Sequence, residues 1–291
     1  MQIAEALKPS LPPSLTATIP LMGCPANQRE ASAYPALAHV DGWPITTPNL
    51  DVTVADTVSR ARARSGFSLF TLNLDHLVKL RQSQAFRNAY RQAEIITADG
   101  APIAWLSRKQ SIGVERTTGA DLLIPLISAA AYNDLPVYLL GTTDAVLERT
   151  AFALSRQTRG RIKFEGLHAP SANFDPYGPE GEAAIERIKA SGAAVCFVAL
   201  GAPKQEIFSA RAVEHGARCG FICIGAALDF VAGSQIRAPR IFQRTGLEWA
   251  WRLATNPRRL ASRYARCAHL LFDVAVWRPL RQQFAIGSRL P

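Results

Sequence analysis

The stretch FSLFTLNLDHLVKLRQSQAFRNAYRQAEIITADG, residues 67–100, sets the pattern that the chain repeats. It begins with a short apolar run, residues 67–72, continues through a longer amphipathic segment, and reaches a second apolar run at 94–98. A short apolar run is typical of a buried strand, and apolar residues spaced three to four apart are typical of a helix. The stretch therefore predicts two parallel strands joined by a helix over residues 75–91.

The same alternation continues to about residue 224. It predicts further strands at 137–140, 194–200 and 220–224, and further helices at 119–132, 143–156, 179–191 and 203–215. The predicted fold class is therefore α/β, with a Rossmann-like, mostly parallel sheet flanked by helices. Because ligands of such sheets bind beyond the carboxyl ends of the strands, the residues directly after each strand are the candidates for function.

Composition divides the 291-residue chain into three parts. Eight of the 19 prolines fall in the first 48 residues, which lack helical periodicity, so residues 1–40 are predicted to form an irregular arm. Residues 41–245 carry the strand and helix pattern of the α/β domain. Residues 246–291 are basic and aromatic, with helical spacing, and are predicted to form a C-terminal appendage.

Positive charge is concentrated at the C-terminal end. The chain carries a net charge of +10, and residues 237–291 hold eleven arginines and no lysine against two acidic residues, Glu248 and Asp273. Such a distribution favours an anionic partner, which could be a nucleic acid, a phosphorylated ligand or an acidic membrane surface. A solvated helix face is the simpler alternative for any run of charges.

Several common site types are not indicated. The five cysteines form no CxxC pair, the five histidines show no ligand spacing, and GxxxxGK[ST], GxGxxG after the first strand and GxSxG are all missing from the sequence. We therefore expect no metal and no bound cofactor. No apolar window of about 18 residues and no signal-peptide pattern occurs, so we expect a cytoplasmic protein whose membrane contact is peripheral.

Polar residues follow the predicted strands. Thr71 and Asn73 end the first, Asp99 and Gly100 follow the second, Gly141 follows the third, and Asp229 lies soon after the last. Such residues are candidates for catalysis and substrate binding at one edge of the sheet. An Asp-Gly pair is also a common turn whose carboxylate caps the next helix, so this simpler interpretation of Asp99 stays open.

The segment Gly201-Ala-Pro203-Lys204-Gln205-Glu206 carries a stronger signal. Glycine permits close approach of a ligand to the backbone, and proline favours the first turn of a helix. Lys204 and Gln205 would then lie at a helix N-terminus, which attracts anions. The segment suits a diphosphate or sugar site, although an ordinary strand-to-helix loop would have a similar composition.

Taken in order, these segments resemble the WecG/TagA/CpsF family of glycosyltransferases. The resemblance extends over about residues 41–263 and is specific through the order and spacing of its motifs. These are Thr71-x-Asn73, Asp99-Gly100, Glu115-Arg116-x-x-Gly119-x-Asp121-Leu122, Leu139-Leu140-Gly141, Gly201-Ala202-Pro203-Lys204-Gln205-Glu206, Arg237-Ala238-Pro239 and Gly246-Leu247-Glu248-Trp249-x-x-Arg252.

The resemblance implies an inverting, metal-independent transferase. Its implied donor is a UDP-sugar, and its implied acceptor is a sugar on undecaprenyl diphosphate, in the synthesis of a cell-surface or extracellular polysaccharide. N-acetylmannosamine and glucose are both transferred within the family, and the motifs do not choose between them. No nucleic-acid-binding motif is present, so a nucleic-acid-binding protein is the weaker alternative; a noncatalytic scaffold of a polysaccharide pathway is another.

The resemblance also implies roles for individual residues. Asp99 falls on the proposed general base, Thr71 on a residue that orients a substrate, and Gln205 on a binding residue. Arginines of the appendage would neutralise the departing UDP; the matching positions are Arg252 and Arg259. The next arginine of the family pattern would fall on Ser262, with Arg263 adjacent.

The remaining arginines of the appendage are interleaved with apolar residues. This pattern suits docking on anionic lipid at the cytoplasmic face of the membrane. The apolar residues could equally serve the interface of a homo-oligomer.

Overall fold

A computed structural model describes residues 35–278, without the side chains of Arg244 and Arg259. Its centre is a parallel sheet of six strands, preceded by a small antiparallel hairpin. The hairpin strands are β1 (Ala38–Val40) and β2 (Trp43–Ile45); the sheet strands are β3 (Phe67–Leu72), β4 (Ile95–Ala98), β5 (Val137–Gly141), β6 (Phe164–His168), β7 (Val195–Ala199) and β8 (Gly220–Cys223). The sheet order is β4-β3-β8-β7-β5-β6, and the α/β fold class predicted from the sequence is confirmed.

Helices connect and cover the strands. They are α1 (Leu50–Ala63), α2 (Leu74–Gln82), α3 (Gln84–Arg91), α4 (Ala101–Arg108), α5 (Gly119–Tyr132), α6 (Asp144–Gln157), α7 (Pro179–Ser191), α8 (Lys204–Glu214), α9 (Ala227–Val231), α10 (Arg240–Arg244), α11 (Glu248–Thr255) and α12 (Pro257–Phe272). A π-helical turn, Asp273–Trp277, continues α12. Apolar side chains from both faces of the sheet form the core with these helices.

The sheet register decides where the polar strand-end residues meet. In the parallel pair of β3 and β4, Thr71 lies opposite Thr97 and Leu72 lies opposite Ala98. The backbone N–H of Asp99 then donates to the Leu72 carbonyl oxygen at 2.8 Å, which extends the pairing by one step. Asn73 and Asp99 therefore leave the sheet side by side, at its carboxyl edge.

The structure differs from the sequence predictions in a few elements. The predicted helix over residues 75–91 is two helices, because the Ser83 side chain accepts a hydrogen bond from the Phe86 N–H and so starts α3. Strand β6 was missed because it is an edge strand in which half-buried and exposed residues alternate. Residues 1–34 of the predicted arm lie outside the described residues. The last three residues of the arm, 38–40, form strand β1.

The C-terminal helices pack against the α/β domain. Cys267 and Leu270 of α12 are buried, and Leu270 joins the core cluster that includes α2 and α3. Beyond α12, Asp273 pairs with Arg81 at 2.9 Å and Arg278 pairs with Asp41 at 2.6 Å. Helix α11 differs, since none of its residues is buried.

Candidate active site

The Asp99 carboxylate is placed by the ends of two neighbouring strands. Its Oδ2 accepts hydrogen bonds from the Thr71 hydroxyl at 3.4 Å and from the Asn73 side-chain amide at 3.3 Å. Asn73 also caps α2, because its Oδ1 accepts the His76 N–H at 3.0 Å. The three side chains form one unit, which we call the carboxylate triad, and Thr71 within it is buried.

Burial raises the pKa of Asp99 to about 6. The Asn73 hydrogen bond and the positive charge of Arg252 oppose this rise, while the carboxylates of Asp121 and Glu248 add to it. A carboxyl group with a pKa close to the pH of the cell can hold a proton and also release it. Asp99 therefore has the property that a general base needs.

A cavity of about 330 Å³ opens beside Asp99. One wall comes from the strand ends and from the N-terminal parts of α2 and α4. The opposite wall comes from the C-terminal helices α11 and α12. Trp249 and Tyr264 give this wall an aromatic surface, with ring centroids 6.0 Å apart. The cavity is lined by both apolar groups and charged groups, as ligand sites generally are.

Three arginines line the cavity, and they are held differently. Arg116 pairs with Glu248 at 3.1 Å, and Arg263 pairs with Asp75 at 2.9 Å. Arg252 makes no ion pair among the described residues; its guanidinium lies 5.7 Å from the centre of the Phe230 ring. An arginine beside a cavity without a carboxylate partner is suited to bind phosphate oxygens, because guanidinium is always charged and donates two parallel hydrogen bonds.

A four-residue ion network braces the cavity wall. Arg116 and Arg237 each approach both Asp121 and Glu248, at nitrogen-to-oxygen distances of 2.5 to 3.6 Å. Asp121 is also the third residue of α5, where it forms a reciprocal capping box with Thr118. The network joins three parts of the chain: the start of α5, the loop that precedes α10, and helix α11. Three motifs that are far apart in the sequence therefore meet in space.

Two predicted residues lie further along the carboxyl edge of the sheet, outside the described cavity. Gly141 ends β5, where its φ of +128° favours glycine and an added Cβ would lie 2.4 Å from the Ala199 oxygen. Next to it, the Thr142 hydroxyl donates to Asp229 Oδ1 at 3.4 Å, and the Ser234 hydroxyl donates to the same oxygen at 3.0 Å. Asp229, in α9, thus ties the loop after β5 to the helix that follows β8.

The loop after β7 holds the next group of predicted residues. Gly201 and Lys204 are exposed, Pro203 precedes α8, and Gln205 is buried. The Gln205 amide is used inside the protein: its Nε2 donates to Glu206 at 2.8 Å and its Oε1 accepts the Gly225 N–H at 3.3 Å. These four residues lie outside the cavity beside Asp99, and their substrate-binding role stays a prediction.

The structure separates the candidates for the last family arginine. Arg263 lines the cavity, whereas Ser262 is exposed and does not line it. Arg259 lies in α12, but its side chain falls outside the described residues. Of the predicted residues, the structure brings Thr71, Asn73, Asp99, Arg252 and Arg263 together.

Sequence reasoning did not identify all the cavity residues. Arg116 and Glu248 stood in motifs but were not expected at the site, and Asp75, Tyr264 and Cys267 were missed. The signal available for Asp75 was its position in the first turn of α2, four residues before Lys79.

Within residues 35–278, no group of three or more His, Cys, Asp or Glu side chains is arranged to hold a metal ion. Within the same range, no helix has both the length and the apolar character needed to cross a bilayer.

The parallel sheet and the cavity beyond its strand ends define a Rossmann-like α/β protein, with the cavity where ligands of that class usually bind. Residues 38–284 match the model of the glycosyl transferase WecG/TagA/CpsF family, so the chain belongs to this family of glycosyltransferases.

Proposed function

We propose that the protein is an inverting glycosyltransferase that uses a UDP-sugar as donor and a sugar on a polyprenyl diphosphate as acceptor. The hexosyl unit would be N-acetylmannosamine or glucose, and the product would serve the synthesis of a cell-surface or extracellular polysaccharide. The observation that carries the proposal is the carboxylate triad, which opens onto a cavity that arginines also line.

Asp99 is the proposed general base. Both of its hydrogen bonds within the triad end on Oδ2, which leaves Oδ1 as the oxygen that can accept a proton from the acceptor hydroxyl. The hydroxyl oxygen then forms a bond to the anomeric carbon while the bond from that carbon to the diphosphate oxygen breaks. Attack from the face opposite UDP inverts the configuration at the anomeric carbon.

Arginine is the proposed counter-charge for the leaving UDP. Negative charge grows on the diphosphate as its bond to the sugar breaks, and fixed cations in a cavity stabilise such charge strongly. Arg252 supports this assignment because it faces the cavity without a carboxylate partner among the described residues. A guanidinium group can fulfil this role without a metal ion.

Peripheral docking on the inner face of the cell membrane is the proposed location. Ile241, Leu247, Phe272 and Val276 are exposed apolar residues in a segment that also carries exposed Arg258 and Arg266. Basic residues near an anionic bilayer surface each contribute about 1 kcal/mol, and apolar side chains can enter the lipid boundary. Docking there would hold the cavity close to an acceptor that stays in the bilayer.

The test is UDP release by purified protein with a short-chain lipid-diphosphate-sugar acceptor. UDP-N-acetylmannosamine and UDP-glucose are supplied separately, with a metal chelator present, and wild type is compared with Asp99→Asn. Asp56→Asn is the matched control, because Asp56 is a largely buried aspartate in a helix ion pair on α1, away from the cavity. We expect acceptor-dependent turnover of one donor, preserved in Asp56→Asn and lost in Asp99→Asn.

Two results would contradict the proposal. Turnover that survives in Asp99→Asn would remove Asp99 from the reaction. Folded wild-type protein that releases no UDP from either donor, with vesicles present, would favour another donor or the noncatalytic scaffold.

A further inference from the structure

A buried carboxylate joins two cations beside the cavity. Asp75 Oδ2 lies 2.7 Å from Lys79 Nζ on its own helix and 2.9 Å from Arg263 Nη2 on α12. Only 11% of the Asp75 side chain is exposed, and Asp75 lines the cavity together with Arg263. We call Asp75, Lys79 and Arg263 the charged bridge.

The charged bridge reaches the loop after β7. Lys79 Nζ donates a hydrogen bond to the Ala202 carbonyl oxygen at 2.9 Å, within the Gly-Ala-Pro-Lys-Gln segment that leads into α8. The bridge therefore links three separate parts of the chain: α2, the loop after β7 and α12. Through these contacts the loop after β7 is connected to an arginine of the cavity wall.

Charge balance keeps the Asp75 carboxylate ionised. Burial acts to raise its pKa, but the Lys79 ammonium at 2.7 Å and the Arg263 guanidinium at 2.9 Å outweigh burial and leave the pKa below its ordinary value. A permanent anion at this position can fix a long arginine side chain, which would otherwise sample many rotamers.

Arg263 keeps hydrogen-bonding capacity for a ligand. Its Nη2 faces Asp75, whereas its Nε is buried and makes no hydrogen bond within residues 35–278. Arginine has five N–H donors in a fixed plane, so a guanidinium held at one edge presents its other donors in a defined direction.

We propose that Asp75 and Lys79 are positioning residues that hold Arg263 ready to bind the diphosphate of the nucleotide substrate. The inference rests on the proposed function, because it assumes that the cavity accepts a nucleoside diphosphate. Asp75 acts through Arg263, and Lys79 acts through Asp75 and through the Ala202 carbonyl. Neither residue touches the reacting atoms.

The experiment measures the dissociation constant of UDP by calorimetry on the full chain. Wild type is compared with Asp75→Asn, Arg263→Met, the double variant and the control Asp56→Asn. We expect each single variant to bind UDP about 10-fold more weakly, which corresponds to about 1.4 kcal/mol, and the control to match wild type. The double variant is expected to match Arg263→Met, because Asp75 then has no arginine to position.

Each remaining outcome overturns a defined statement. If Asp75→Asn binds UDP as wild type does, or if the double variant shows the roughly 100-fold loss of two independent effects, the positioning role is wrong. If wild type and Asp56→Asn both fail to bind UDP, the proposed nucleotide substrate is wrong, and the inference falls with it.

Lys79→Met tests the bridge from its other end, and serves if Asp75→Asn does not fold. Asp75 then keeps Arg263 but loses its helix partner, so we expect about a 3-fold weaker affinity for UDP. Lys189→Met, in an exposed helix ion pair with Glu186, is its matched control and is expected to bind UDP as wild type does. Equal affinities in the two lysine variants would contradict the role of Lys79.

Discussion

The two walls of the cavity are built differently. The carboxylate triad is fixed by the sheet, through paired strands, a backbone hydrogen bond and buried neighbours. The opposite wall, which we call the arginine wall, contains Arg252 of α11 and Arg263 of α12. No residue of α11 is buried, and ion pairs and aromatic contacts fix this wall. The residue proposed to take the proton is thus held by the core, whereas the residues proposed to bind the diphosphate are held at the surface.

This difference separates activity from stability. Substitutions of exposed residues usually change the free energy of unfolding by less than about 0.5 kcal/mol, whereas changes in the core cost several times more. Variants of Arg252, which is exposed and makes no ion pair within the described residues, should therefore lose function while keeping the fold. Variants of the triad should be more sensitive to how their neighbours are packed.

Asp99→Asn should give the largest loss of activity. Removal of a general base lowers the rate by about 10²- to 10⁴-fold, and asparagine keeps the shape of the side chain. The initial rate of UDP release is the measurement. A loss of less than about 10-fold would show that Asp99 does not act as the base.

The same substitution should raise the melting temperature. Since burial makes the ionised form of Asp99 unfavourable, a neutral amide should stabilise the fold at pH 7 by about 1 kcal/mol, after allowance for solvent in the cavity. For a domain of this size, that corresponds to an increase of about 2–4 °C in the melting temperature. Calorimetry on both proteins checks this, and a lower melting temperature would mean that the carboxylate stabilises the fold.

Arg252→Met should lower activity by about 10- to 100-fold with little change in stability. Charge-assisted hydrogen bonds contribute about 1.5–3 kcal/mol, and Arg252 is exposed and not ion-paired within the described residues. Arg116→Met is the comparison, because it breaks the ion network and should lower the melting temperature more. Equal decreases in melting temperature for the two variants would contradict the distinction between Arg252, which faces the substrate, and Arg116, which stabilises the ion network.

The pH dependence of the reaction should follow Asp99. Its pKa is raised to about 6, so kcat/KM should rise between about pH 5 and pH 7 and level off above that range, because only the carboxylate can accept a proton. For stability the sign is opposite: the folded protein binds more protons than the unfolded chain between about pH 4 and pH 6, so this contribution is lost as the pH rises. A rate that falls through pH 6 would contradict the general-base role.

Phe272→Ser should give the smallest effect on the reaction in solution. Phe272 is 56% exposed, so we expect the melting temperature and the turnover of a short-chain acceptor to stay close to wild type. Binding to vesicles that contain anionic lipid should weaken by a few-fold. Sedimentation with anionic and with neutral vesicles measures this, and Tyr132→Ser, an exposed aromatic change on α5, is the control.

Local sequence was enough to predict that the three residues of the carboxylate triad lie at the carboxyl edge of the sheet. Thr71 and Asn73 end one apolar run and Asp99 ends the next, so the register of two neighbouring parallel strands brings them together. The parallel sheet was predictable for the same reason, because its central strands are continuous apolar runs. Edge strand β6 has alternating burial and therefore lacks that signal.

The charged bridge and the ion network could not be predicted in this way. Asp75 and Arg263 are far apart in the chain, and only the packing of α12 against α2 brings them within 2.9 Å. Gln205 illustrates a related limit. The sequence places a polar amide at the start of a helix, but the packing of the loop after β8 decides that this amide faces inward.

Gly246 limits which sequences could encode this cavity. Its φ is +76°, and a Cβ added there would lie 2.5 Å from the Ala101 Cβ at the start of α4. A larger residue would have to move the start of α11 away from the sheet, because side chains disfavour this backbone angle and the space is already filled. Redesign of the substrate range can therefore vary Trp249 or Tyr264 on the cavity wall, but it must keep glycine at position 246.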